Sequence, residues 1–110
     1  MKITSDYDTL RVSNLDEFAD LRADVLVHEI GSALTPAHAV VEFDLAQLRA
    51  VHCGVADVLL EVYEELNRAG PALTWRLLNP PPDLRQLFEL VRLHHVFEIS
   101  PPRRPRMILL

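Results

Sequence analysis

Short runs of β-branched and aromatic residues alternate along this chain with longer segments whose apolar residues recur every three or four positions. That alternation constrains the fold more than any other feature. "KITSDYDTLRVS" predicts one strand, open to an interruption at Asp6 to Asp8. Asn14 stands three residues before Glu17, a capping-box spacing that satisfies free N–H groups at a helix start. Leu15, Phe18, Leu21, Val25, Leu26, Ile30 and Leu34 then follow at helical spacing. Gly31, and then Thr35-Pro36, read as the end of that helix. "AVVEFDL" reads as a buried strand. In the second helix Val55, Val58, Leu59, Val62, Tyr63 and Leu66 share one face. Asp57, Glu61, Glu64, Glu65 and Arg68 lie mainly on the other, and Gly70 supplies the stop before Pro71. "ALTWRLL" is a strand. "NPPPDLRQLFELVRL" is a third helix, opened by Asn79 and prolines whose missing N–H groups do no harm in a first turn. "VFEI" is a last short strand.

The order strand, helix, strand, helix, strand, helix, strand implies an α/β fold: a four- to five-stranded, mostly parallel sheet with helices packed against it through right-handed crossovers. At 110 residues the chain holds one core, placed at residues 1–100, with 101–110 as a Pro/Arg-rich C-terminal tail.

Charge narrows the partners. Eleven Lys and Arg against sixteen Asp and Glu give a net charge of −5, and such a surface repels a phosphate backbone, so nucleic acid is not an expected partner. Arg103, Arg104 and Arg106 form the one basic cluster. A single cysteine allows no internal disulfide and no cysteine-based zinc site. The start "MKITSDYDTL" lacks a signal peptide's apolar run, and no segment reaches the roughly 18 apolar residues of a membrane span. A cytoplasmic domain of bacterial type without membrane insertion is the expectation.

The stretch "VEFDLAQLRAVHCGVADVLLEVY" runs from strand through a His-Cys-Gly step into a helix, and it concentrates the candidate chemistry. Cys53 opens that helix. It reads as a small packed or contact residue, as a thiol activated by a helix start and a nearby imidazole, or as a site of modification. Adjacent residues at a turn point apart, so His52 is not automatically its base, and no second cysteine can resolve an oxidised form. His52, His94 and His95 read as loop histidines rather than metal ligands, since neighbouring histidines diverge and no carboxylate completes a set. Asp44 at the strand end reads either as functional or as a cap on the following turn. Trp75 reads as core. No cofactor is implied, and no Ser-His-Asp or paired-carboxylate arrangement can be assembled.

At "FDLAQLRAVHCGVADVLLEVY" and "LLNPPPDLRQLFELVRL" the chain resembles the STAS domain, named for sulfate transporters and anti-sigma factor antagonists. Members read like "LDLSxVxxIDSSGLGxLL", then a helix, then "LxNxxPxVRxLLxLxGL". Asp44 falls on the family's strand-end Asp, His52 on its second Asp, and Cys53 on the Ser or Thr that partner kinases phosphorylate. Gly54 matches the small residue after it, and Tyr63 a helix position often aromatic. Asn79, Pro80, Pro82, Arg85, Leu87 and Leu90 keep step without a gap, and the variant turn "D-T-A-V-A" aligns well with "H-C-G-V-A". The resemblance covers residues 38–100. The N-terminal third departs: the family has two strands there, and here the region reads as shortened, with "LSGxLD" reduced to "VSNLD" around Asp16.

The resemblance implies a non-catalytic protein-interaction domain, an anti-sigma factor antagonist with a degenerate phosphorylation site. Its docking surface would include Asp44, His52, Cys53, Gly54 and Asp57, and its partner would be an anti-sigma factor kinase or a stress-signalling scaffold. Glu61, Glu64 and Glu65 would join that surface by analogy, and otherwise read as a solvated helix face. The alternatives are a STAS subunit bound to the ATPase of an ABC-type lipid-asymmetry transporter, and a small thiol redox protein using Cys53. The tail, ending in "MILL", reads as a returning edge strand, as a contact with a second copy in a homodimer, or as an unpacked chain end.

Overall fold

A computed structural model describes residues 1–15, 22–48, 53–68 and 73–100, Cys53 by its backbone alone. The opening segment forms two strands, β1 (Lys2–Asp6) and β2 (Thr9–Ser13), paired antiparallel with Asp6 opposite Thr9. The expected single strand is therefore a hairpin. Its loop is Tyr7-Asp8, and Tyr7 takes a φ of 55° with its side chain 94% exposed. Left-handed backbone costs a non-glycine residue roughly 1 kcal/mol, and this loop carries none of the Asn-Gly or Gly-X signals that mark two-residue hairpins.

Helix α1 (Ala23–Ala33) follows, then β3 (Val40–Asp44), α2 (Cys53–Arg68), β4 (Thr74–Leu78), α3 (Pro82–Leu90), a 3₁₀ turn (Leu93–His95) and β5 (Glu98–Ser100). The sheet order is β1-β2-β3-β4-β5, parallel from β2 onward. Because strand order equals chain order, right-handed crossovers send every helix to the same face.

The burial pattern agrees with that topology. Leu10 and Val12, Val41 and Phe43, Trp75 and Leu77 point into one core with Leu26 and Ile30 of α1, Val55, Leu59 and Val62 of α2, and Leu84 and Phe88 of α3. The alternate strand residues, Arg11, Glu42, Arg76 and Glu98, form the opposite, helix-free face. The fold is thus a two-layer α/β sandwich, as the alternation requires.

Three local expectations change. Gly31 lies inside α1, which runs on to Ala33 and stops at Leu34, just ahead of Thr35-Pro36. A Cβ added at Gly31 would sit 3.5 Å from Leu66 Cδ2, so the glycine faces α2 at ordinary contact distance. Asn79 is not in the first turn of α3. It adopts a φ of 53° at the end of β4, donates its N–H to the Ser100 carbonyl at 2.7 Å, and leaves Pro81 as the N-cap. The helix also ends sooner than expected, at Leu90, because Arg92 turns left-handed with a φ of 60°. Asn14, too, is left-handed (φ 57°) at the end of β2; Glu17 of the expected capping box, the Gly70 stop and the 101–110 tail lie outside the described residues.

A buried histidine joins the connection between α1 and β3 to the hairpin. His38 Nδ1 accepts the Thr35 N–H at 2.9 Å, which leaves the proton on Nε2, and Nε2 donates to Ser5 Oγ at 2.8 Å. The Asp8 carbonyl accepts the next two amides, from Ala39 and Val40, at 2.7 and 3.0 Å. His38→Ala is expected to cost about 1–3 kcal/mol, because it leaves the Thr35 amide and the Ser5 hydroxyl without their partner. The urea midpoint measures the loss, and an unchanged midpoint would remove His38 from the framework.

Candidate protein-interaction site

The candidate site is built where β3 hands over to α2. Val41 and Phe43 anchor β3 in the core, so alternation puts Asp44 on the opposite side at the strand's C-terminal end. The chain does not leave the sheet freely there. Leu45 donates its N–H to the Leu78 carbonyl at 2.8 Å, Leu48 donates to the Leu45 carbonyl at 3.1 Å, and both leucine side chains are buried. Asp44 Oδ1 accepts the Ala46 N–H at 3.1 Å. The capping role left open for this carboxylate is therefore present, and it stiffens the turn that leads toward α2.

His52 lies outside the described residues. Cys53 is the first residue of α2, a helix of sixteen residues with no acidic side chain in its first turn. The N-terminal amides of such a helix and its dipole favour negative charge, and no carboxylate within that first turn offsets them. Gly54 is half-buried, and Asp57 is exposed one turn on, at the i+4 position from Cys53. The fold thus brings Asp44 and the start of α2 to one edge, formed by the C-terminal ends of the parallel strands. Asn79 and Ser100 extend that edge through β4 and β5.

Elsewhere the structure sorts the candidates plainly. Trp75 is core, with Phe43, Tyr63 and Phe97 packed on its ring. Glu61, Glu64 and Glu65 are exposed on the outer face of α2. His94 and His95 are exposed on the 3₁₀ turn with ring centroids 4.4 Å apart, and among the described residues no group of three or more His, Cys, Asp or Glu could hold a metal ion. No described helix is long and apolar enough to cross a membrane.

One cluster escaped the reading of the sequence. Arg11, Glu42, Arg76 and Glu98 lie directly opposite one another on β2, β3, β4 and β5. Glu42 is only 5% exposed, and its two oxygens accept from Arg11 at 3.2 Å and from Arg76 at 3.0 Å. Arg76 also reaches Glu98 at 3.2 Å. The hydrogen bond to Glu42 raises the Arg76 guanidinium above its ordinary value; partial burial opposes that, and Glu98 adds to it. The signal for the row was present: a charge at the middle of β2, β3 and β4 and at the start of β5, alternating in sign from one strand to the next.

A family model described as STAS domain matches residues 7–104, nearly the whole chain. The match reaches back to residue 7 and so takes in β2, while β1 precedes it; the region read as shortened holds both strands of a hairpin. No curated protein matches the chain.

Proposed function

This chain belongs to the STAS domain family, and from that premise we propose that it is an anti-sigma factor antagonist whose docking turn has lost its phosphorylation switch. STAS domains are interaction modules, so the function lies in what the surface engages. The observation that carries the finer reading is the position of Cys53, the residue that opens α2 directly after the β3 turn. The resemblance puts a phosphorylatable hydroxyl at that position. A phosphate there would be held by the helix amides and would repel an acidic or closely packed partner by bulk and by nearly two negative charges. A thiol fills the same space without being a substrate for a Ser/Thr kinase.

The domain then docks constitutively. The surface comprising Asp44, His52, Cys53, Gly54 and Asp57 occupies an anti-sigma factor kinase or a stress-signalling scaffold, and that occupancy releases a sigma factor or holds a complex together. The Asp44 cap and the buried Leu45 and Leu48 support this reading, because the part of the turn they hold, residues 44–48, loses little entropy on association.

The Cys53 series tests it against an anti-sigma factor kinase. Cys53→Glu should keep the fold, since negative charge suits a helix start, yet weaken docking at least about tenfold, or ~1.4 kcal/mol. Unchanged affinity by calorimetry would take the turn out of the interface. Cys53→Ser should become phosphorylated by that kinase while the wild type does not, and robust phosphorylation of the wild type on Cys53 would end the lost-switch reading. In a pull-down from host lysate, recovery of an ABC-type ATPase in place of a kinase would move the domain to lipid transport.

A further inference from the structure

The outer surface of the helical layer carries a groove that the docking turn does not use. It runs between α1 and α2, holds about 400 Å³, and is lined by Ala23, Asp24, Val27, His28, Glu61 and Glu65. Ala23 and Val27 are partly buried and give it an apolar floor. The rim is acidic. Along residues 22–33 and 53–68, six carboxylates (Asp24, Glu29, Asp57, Glu61, Glu64, Glu65) face two guanidiniums, Arg22 and Arg68. Arg22 lies 3.1 Å from Asp24 and Arg68 lies 3.5 Å from Glu65, but all four side chains are at least half exposed. Exposed pairs of this kind are worth about 0–1 kcal/mol and exchange partners readily.

The chain carries one segment of matching chemistry. Residues 101–110, "PPRRPRMILL", hold three of its eleven Lys and Arg, no acidic residue, and a run of four apolar side chains. We propose that this C-terminal segment seats in the α1–α2 groove of its own chain, with Arg103, Arg104 and Arg106 on the Glu61 and Glu65 rim and the Met107–Leu110 run on the Ala23 and Val27 floor.

Three considerations favour that groove. Pro101, Pro102 and Pro105 have no N–H to donate, so the segment is poorly made to extend the sheet beyond β5. Reach is sufficient. A proline-rich chain spans about 3.1 Å per residue, roughly 30 Å for ten residues. From Ser100, at the edge where α2 begins, the groove lies back across about two strand spacings of ~4.8 Å, up one layer of ~10 Å and about 12–18 Å down α2 to Glu61 and Glu65, within that span. Finally, the floor is apolar and the rim opposite in charge, so both halves of the segment find complementary partners. Seated there, the tail covers the outer face of α2 beyond Asp57. The seating does not depend on the antagonist role proposed for the turn.

Methyl NOE spectroscopy on the isotope-labelled 110-residue chain tests the proposal. NOEs are expected between the Val27 methyls and those of Ile108 to Leu110. Glu61→Arg with Glu65→Arg should abolish them, and adding Arg103→Glu, Arg104→Glu and Arg106→Glu to that variant should restore them. All the altered groove positions are exposed, and unchanged amide shifts in β2 to β4 would verify that the variants fold. Absence of the NOEs in the wild type would overturn the seating, and their survival in the Glu61/Glu65 variant would overturn the charge match. NOEs appearing only between differently labelled chains in a mixed sample would place the tail on a second copy and overturn the intrachain arrangement.

Discussion

Trp75→Ala is expected to remove about 3–5 kcal/mol of stability, the typical cost of truncating a fully buried large aromatic. A domain of this size has only about 5–15 kcal/mol in total, so the variant should be partly unfolded at room temperature or close to it. The reason lies in what Trp75 joins. It sits at the second position of β4, 2% exposed, and its ring packs on Phe43 of β3 at 6.2 Å, on Tyr63 of α2 at 5.6 Å, and on Phe97, just before β5, at 6.1 Å. Phe43 and Tyr63 each also reach Phe97, at 6.4 and 5.8 Å, so the four rings form one cluster. The cluster ties α2 to three neighbouring strand segments, and so fixes the helix that begins with Cys53. Its indole Nε1–H finds no acceptor among the described residues. Trp75→Phe discards that donor along with some volume and should cost less, about 1–2 kcal/mol. Urea unfolding followed by far-UV circular dichroism measures both, because the chain's one tryptophan fluorophore is lost in each variant. A midpoint for Trp75→Ala within error of the wild type would mean that the cluster does not hold the layers together.

What the sequence revealed follows from which signals are local. Elements β3, α2 and β4 were legible because their periodicity is strong: Val41 and Phe43 alternate with Glu42 and Asp44, and Val55, Leu59 and Val62 recur at helical spacing. The hairpin was not, because its turn is Tyr7-Asp8, and a tyrosine held left-handed announces nothing. Asn14 and Asn79 misled for a related reason. Asparagine serves both helix starts and left-handed strand ends, and only the packed sheet decides between them. The early end of α3 is another tertiary choice: Leu90 and Val91 continue the apolar run but are exposed, while Leu93 beyond the left-handed Arg92 is buried. The candidate site was legible as far as its backbone. The strand-to-helix turn and the place of Cys53 at the head of α2 are features of chain order. The roles of His38 and Glu42 were hidden, since each depends on partners 31 to 34 residues away.

Charge reversal at Glu42 is the second large effect expected, about 3–5 kcal/mol for Glu42→Lys, comparable to breaking a buried ion pair by removing one partner. The side chain is almost fully enclosed, flanked by Arg11 and Arg76, so a lysine there would face two guanidiniums with little water to screen them. Glu42→Gln retains the shape and part of the hydrogen bonding and should cost less than half as much. Arg11→Ala should cost under about 1 kcal/mol, because the Arg11 side chain is 51% exposed and Arg76 still satisfies the carboxylate. That ranking separates a structural row from a merely decorative one, and Glu42→Lys no worse than Glu42→Gln would sink it. The row also specifies register. Slipping β3 by one residue against its neighbours would carry Glu42 into the core and Phe43 out to the helix-free face, and the opposite charges on β2 and β4 add to that preference. Asp44 stands two residues after Glu42 on the same face of the same strand, so the contact that locks β3 in place also positions the carboxylate that caps the turn toward α2. On the docking role proposed for that turn, a variant that loosens the row should also weaken partner docking. Added salt should relieve the cost of Glu42→Lys only slightly, because enclosed charges are screened much less than exposed ones, and should leave the cost of Trp75→Ala essentially unchanged.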